Sequence, residues 1–61
     1  MPPHQDPSQG QCYETWDYRE CVGRDSTLLS AERGCLNDFG RTLTVYDLTG
    51  RIASRWRDGN R

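Results

Sequence analysis

The chain has 61 residues, is 33% hydrophobic and 28% charged, and carries a net charge of −1 at neutral pH. A chain this short makes one domain, buries only about 60% of the surface its unfolded form exposes, and draws roughly 3–5 kcal/mol from its core. That argues against a deep substrate pocket, and no apolar run approaches the roughly 20 residues of a membrane span.

Residues 1–11, MPPHQDPSQGQ, hold three prolines and no large apolar residue after Met1. They are expected to form a disordered tail. The start has no basic region followed by an apolar segment, so no secretory signal is expected and the location is expected to be cytoplasmic.

Residues 12–22, CYETWDYRECV, are rich in aromatics. That composition favours a strand through about residue 19. The alternation is imperfect, because Glu14 and Glu20 fall on the same face as Trp16 and Val22. Gly23-Arg24-Asp25-Ser26 reads as a turn into a helix, with Asp25 or Ser26 as the N-cap. At about 100° per residue, Leu28, Leu29, Ala31, Cys35, Leu36 and Phe39 fall within one arc of roughly 160°. The expected helix is amphipathic and ends at Gly40, a residue suited to the left-handed position past a helix. Gly34 offers an earlier stop. Glu32 lies inside the apolar arc and, in the longer helix, needs an arginine partner at the edge of the core.

Residues 41–57, RTLTVYDLTGRIASRWR, give the clearest local signal. Thr42 to Tyr46 is β-rich. Asp47-Leu48-Thr49-Gly50 fits a type I turn closed by a glycine with positive φ, and Ile52 to Trp56 is the return strand. The expected register places Tyr46 opposite Ile52, Val45 opposite Ala53 and Thr42 opposite Trp56. The stretch Val45-Tyr46-Asp47-Leu48-Thr49-Gly50-Arg51-Ile52 resembles a hairpin recurrent in YD-repeat proteins and in C-terminal sorting domains of secreted bacterial proteins. The likeness covers eight residues and implies the hairpin alone. Residues 58–61 are expected to fray. The whole is expected to be a small α+β domain over residues 12–57, β-α-β-β in order, with one amphipathic helix packed on an antiparallel sheet.

Cys12, Cys21 and Cys35 are odd in number and contain no C-x-x-C pair, and the sole histidine, His4, lies in the tail. Zinc and iron–sulfur spacings are therefore missing. No metal or other cofactor is expected, and the thiols are expected to be reduced and to pack as small apolar groups. Nucleophilic catalysis needs a base within reach of the nucleophile, and residues 12–57 contain neither histidine nor lysine. No catalytic residues are expected, and no enzyme.

Two surfaces remain. Tyr13, Glu14, Trp16, Asp17, Tyr18 and Glu20 interleave aromatics with acids, a pattern suited to a basic protein surface. Trp16 itself is expected to lie largely inside. Arg51, Arg55, Trp56 and Arg57 alternate base and aromatic, a pattern suited to phosphates and stacked bases. All eight basic residues of the chain are arginine, which favours bidentate contacts. Charge is unevenly spread: residues 1–40 carry three Arg and seven acids, a balance of −4, and residues 41–61 five Arg and two acids, a balance of +3. The acidic portion weighs against a phosphate backbone as the main partner. The leading expectation is a small protein-binding regulator or inhibitor, of a kind carried by bacteria, phages or mobile elements and acting on a host or defence complex. The alternatives are a nucleic-acid-binding accessory using the C-terminal arginines, and an accessory subunit of a larger assembly. No membrane partner is expected.

Overall fold

The computed structural model describes residues 13–61. The expected tail, residues 1–11, and Cys12 lie outside the described residues. Strand β1 (Tyr13–Asp17) and strand β2 (Glu20–Asp25) precede helix α1 (Leu28–Leu36), and strands β3 (Thr42–Tyr46) and β4 (Ile52–Arg57) follow it. The strands form one antiparallel sheet in the order β2-β1-β3-β4. The helix covers one face of it. The α+β class is as expected, with one strand more than the β-α-β-β order: the fold is ββαββ.

The extra strand comes from a reversal that the sequence conceals. The chain turns at Tyr18-Arg19, where a turn was expected only at residues 23–26. Asp17 pairs with Glu20 across a two-residue turn, and Tyr18 takes a φ of 54°. A side chain in that conformation costs roughly 1–2 kcal/mol relative to glycine. The Arg19 guanidinium lies 5.3 Å from the Tyr18 ring centroid, a cation–π contact that offsets part of the cost. Register slips between Thr15 and Trp16, leaving Val22 unpaired in a bulge. The bulge sets Val22 on the same, core side of the sheet as its neighbour Gly23, which strict alternation would forbid.

Helix α1 starts one residue later than a Ser26 cap would give and two later than an Asp25 cap. Thr27 is the N-cap; its side-chain oxygen accepts the Ser30 N–H at 3.2 Å. Asp25 and Ser30 still contribute, because the Ser30 hydroxyl donates to Asp25 Oδ1 at 2.8 Å. The helix ends at Leu36, at neither Gly34 nor Gly40. Asn37 stops it by donating its side-chain amide to the Arg33 carbonyl at 3.1 Å. Gly40 does have a positive φ, 85°, but in the loop beyond.

The second hairpin has the loop that its residues demand. Gly50 has a φ of 85°. Asp47 Oδ1 accepts from the Thr49 N–H at 2.9 Å, the Thr49 hydroxyl at 2.6 Å and the Arg51 N–H at 3.0 Å. Tyr46 pairs with Ile52 as expected, but Ala53 is the extra residue of a second bulge. Val45 therefore faces Ser54 and Thr42 faces Arg57, one residue away from the expected register. The chain after β4, expected to fray, closes in a turn bridged between Arg57 and Asn60. Arg57 and Asn60 exchange backbone hydrogen bonds of 2.7 and 2.9 Å, and the Asp58 N–H donates to the Arg41 carbonyl at 3.1 Å.

The core lies between α1 and the sheet. Ala31, Cys35, Leu43, Val45 and Trp56 are buried, with Tyr13, Val22, Leu28 and Ala53 packed against them. Trp56 satisfies its indole N–H by donating to Ser54 Oγ at 3.0 Å, as a buried tryptophan requires. Three residues of the expected helix core are outside it: Leu29, Leu36 and Phe39 are 69%, 50% and 74% exposed. The space against the sheet is taken by Ala31 and Cys35, whose small side chains bring the helix axis close.

Candidate functional site

Cross-strand pairing assigns each side chain to a face. Thr15, paired with Val45, is buried and points into the core. Glu14 and Trp16 therefore project to the opposite, open face of the sheet. The acidic aromatic segment is thus divided. Tyr13 packs partly against the core. Asp17 accepts from Arg41 Nη1 at 3.3 Å on the helix side. Tyr18 is 84% exposed at the turn, and Glu20 is exposed beside it. Glu14 is buried although it projects to the open face. It accepts from Trp16 Nε1 at 3.1 Å and Arg24 Nε at 3.2 Å. From this set Tyr18 and Glu20 are exposed, Tyr13, Trp16 and Asp17 are partly so, and Glu14 is buried.

The C-terminal arginines do share a face. Trp56 and Ser54 point into the core, so Arg55 and Arg57 point out through the open face. Trp56 itself is buried and cannot stack on a ligand. Trp16, partly exposed in the row Arg55–Thr44–Trp16 defined by the pairings, is the tryptophan of that face. Arg51 is exposed in the hairpin loop. Neither Arg55 nor Arg57 takes part in an ion pair among the described residues.

A second surface, missed in the sequence, lies on the outer side of α1. Leu29 and Leu36 are seven residues apart, hence roughly 20° apart around the axis, and turned away from Ala31 and Cys35. Phe39 extends the patch beyond the helix. Its ring lies over Gly59, where an added Cβ would come within 2.8 Å of Phe39 Cε1 and 2.9 Å of the Leu36 carbonyl oxygen. Glu32 marks the rim, 15% exposed; its Oε2 lies 3.8 Å from Arg61 Nη1 and accepts no hydrogen bond. The available signal was the seven-residue spacing of Leu29 and Leu36, which reads equally well as core.

A cleft of about 100 Å³ separates α1 from β2, lined in part by Gly23, Gly34, Asp25, Asp38 and Arg41. Small-molecule pockets usually offer about 300–1,000 Å³. Its charges are also committed to each other: Arg41 bonds Asp38 through both nitrogens of its outer edge and pairs with Asp17. The Arg41 hydrogen bond holds the Asp38 carboxyl below its ordinary value, and Arg41 is raised in return. Burial, and then the negative charges of Glu32, Asp38 and Asp25, push the Cys35 thiol up. It therefore stays a thiol at neutral pH, the unreactive form. Cys21 and Cys35 are both free. Among the described residues no group of three or more His, Cys, Asp or Glu converges as a metal site, and no helix is long and apolar enough to cross a membrane.

Comparison of the chain with protein-family models, curated proteins and solved structures finds no match.

Proposed function

We propose that this domain is a non-enzymatic protein-binding regulator and that it docks through the outer side of α1. The observation that carries the reading is the exposure of Leu29, Leu36 and Phe39 on one side of a domain with five buried hydrophobics among the described residues. A fold this short of core has every reason to bury leucine and phenylalanine, yet it seats alanine and cysteine against the sheet instead. Fully covering a side chain of that size gains about 1.5–3 kcal/mol, and contiguous exposed apolar surface marks contact sites. The partner surface is apolar where it meets the two leucines. Its edge faces Arg33, exposed beside them, and the Glu32–Arg61 pair.

The test is capture of a partner from the native host by the full chain, compared with the double variant Leu29→Asp, Leu36→Asp. Both positions are exposed, so the variant is expected to keep its circular dichroism and melting temperature. A partner recovered in defined stoichiometry with the natural chain and lost with the variant supports the reading. Equal recovery by both contradicts it.

A further inference from the structure

The fold sorts the charges that the sequence mixes. By register, Asp17, Glu20 and Asp25 share the helix side with Thr15. Glu32 and Asp38 belong to α1 and the loop after it. Among acids on the strands, only Glu14 projects to the open face, and Arg24 pairs with it there. The charges that remain on that face are Arg55 and Arg57, with Thr44 and Thr42 opposite them, the Tyr46–Ile52 pair further along the same two strands and the partly exposed Trp16 alongside. Among the described residues, the acids of the first three elements and the loop after α1, Glu14 apart, thus lie behind the sheet. At physiological salt the Debye length is about 8 Å, which weakens the reach of those acids to the open face.

We infer that the open face of the sheet binds single-stranded polynucleotide. Arg55 and Arg57, two residues apart on one strand, project roughly 7 Å apart and can grip successive phosphates of an extended backbone. Thr42 and Thr44 supply hydroxyls between them and the centre of the sheet. Trp16 lies two strands from Arg55, about 10 Å away, and offers a ring on which a base can stack. A polar hollow of about 320 Å³, lined by Gly40, Arg41, Thr42, Arg57 and Asp58, continues the surface past the end of β4. The Asp58 carboxylate is committed there to the Gly40 N–H. A flat sheet face presents no helix or ribbon to enter a duplex groove, so unpaired strands are the ligand. Ribose and deoxyribose strands share the phosphodiester and the base faces that this surface reads. This surface is separate from the outer side of α1, and the inference does not rest on the protein-binding reading.

Fluorescence anisotropy of the full chain with labelled oligo(U) and oligo(dT) of about 12 nucleotides tests it. Binding to either strand at about 50 mM salt is expected, weakening as salt rises, together with quenching of tryptophan emission. The double variant Arg55→Gln, Arg57→Gln should lose at least about tenfold in affinity at that salt. Trp16→Leu should lose the quenching, because Trp56 is buried. Leu29→Asp, Leu36→Asp should bind as the natural chain does, which separates this surface from the protein-docking one. No binding to either oligonucleotide at low salt would overturn the inference. So would unchanged binding by the arginine variant, or a matched duplex bound as tightly as the single strands.

Discussion

The two sides of α1 carry opposite patterns of size and burial. The inner side presents Ala31 and Cys35, both buried, with Leu28 partly covered at the first turn. The outer side presents Leu29 and Leu36, both exposed, with Phe39 just beyond. A helix serving only its own core would place the larger residues inward, since each buried methylene adds about 0.8 kcal/mol. Small inner residues permit a close approach to the sheet, and the sheet supplies the bulk through Leu43, Val45 and Trp56. The large outer residues contribute little to the fold. That difference in burial is what the protein-docking proposal for the outer side rests on.

The comparison breaks most readily from the inside. Ala31→Leu forces extra volume between α1 and the sheet and should cost about 1–3 kcal/mol, a large share of the stability of so small a domain. Chemical denaturation would show a lower midpoint. An unchanged midpoint would mean that the inner side has room to spare and was not built for close approach.

A smaller effect is expected where the outer patch meets the C-terminal turn. Gly59 has a φ of 76° and supports the Phe39 ring. Gly59→Ala should cost about 1–2 kcal/mol for the left-handed backbone alone and should also displace Phe39. Chemical denaturation and the shift of the Phe39 ring resonances would report the two consequences separately.

The segment that carries Phe39 should also respond to acid. Asp38 has its carboxyl lowered by the Arg41 hydrogen bond. A lowered carboxyl stabilises the folded form above its unfolded value, about 4. The contribution is lost as pH falls through the lower folded value. The melting-temperature difference between the natural chain and Asp38→Ala should therefore hold steady from neutral pH to about 5 and shrink below about 4. A difference that grows on acidification would assign the wrong sign.

The smallest effect is the most diagnostic of the contrast. Leu36→Ala should change stability by no more than about 0.5 kcal/mol, as expected at an exposed position. A loss of about 2 kcal/mol or more would place Leu36 in the core, where the helical arc of the sequence had put it.

That arc also shows where the sequence speaks and where it is silent. The loop from Asp47 to Gly50 is legible because its chemistry is local: a side chain that caps its own turn and a glycine for positive φ. The first hairpin is hidden because Tyr18-Arg19 is an unusual pair at a two-residue turn, where glycine or asparagine is favoured. Val22 and Ala53 each add a residue to a strand, and period-two reasoning cannot see a bulge before the pairing is known. The helix was found, but its apolar arc spans both inner and outer residues, and only packing decides which side meets the sheet. Arg55 and Arg57 were legible as a basic face. Their tryptophan was not, because Trp16 joins them from another strand while Trp56 turns inward.

The most direct test of the docking surface is photo-crosslinking in the native host. The full chain would carry a photoreactive phenylalanine in place of Phe39 or, as the control, in place of Leu48, which is 43% exposed in the hairpin loop. The account predicts a discrete protein adduct from position 39 and none from position 48. No adduct from position 39, or the same adducts from both positions, would contradict it.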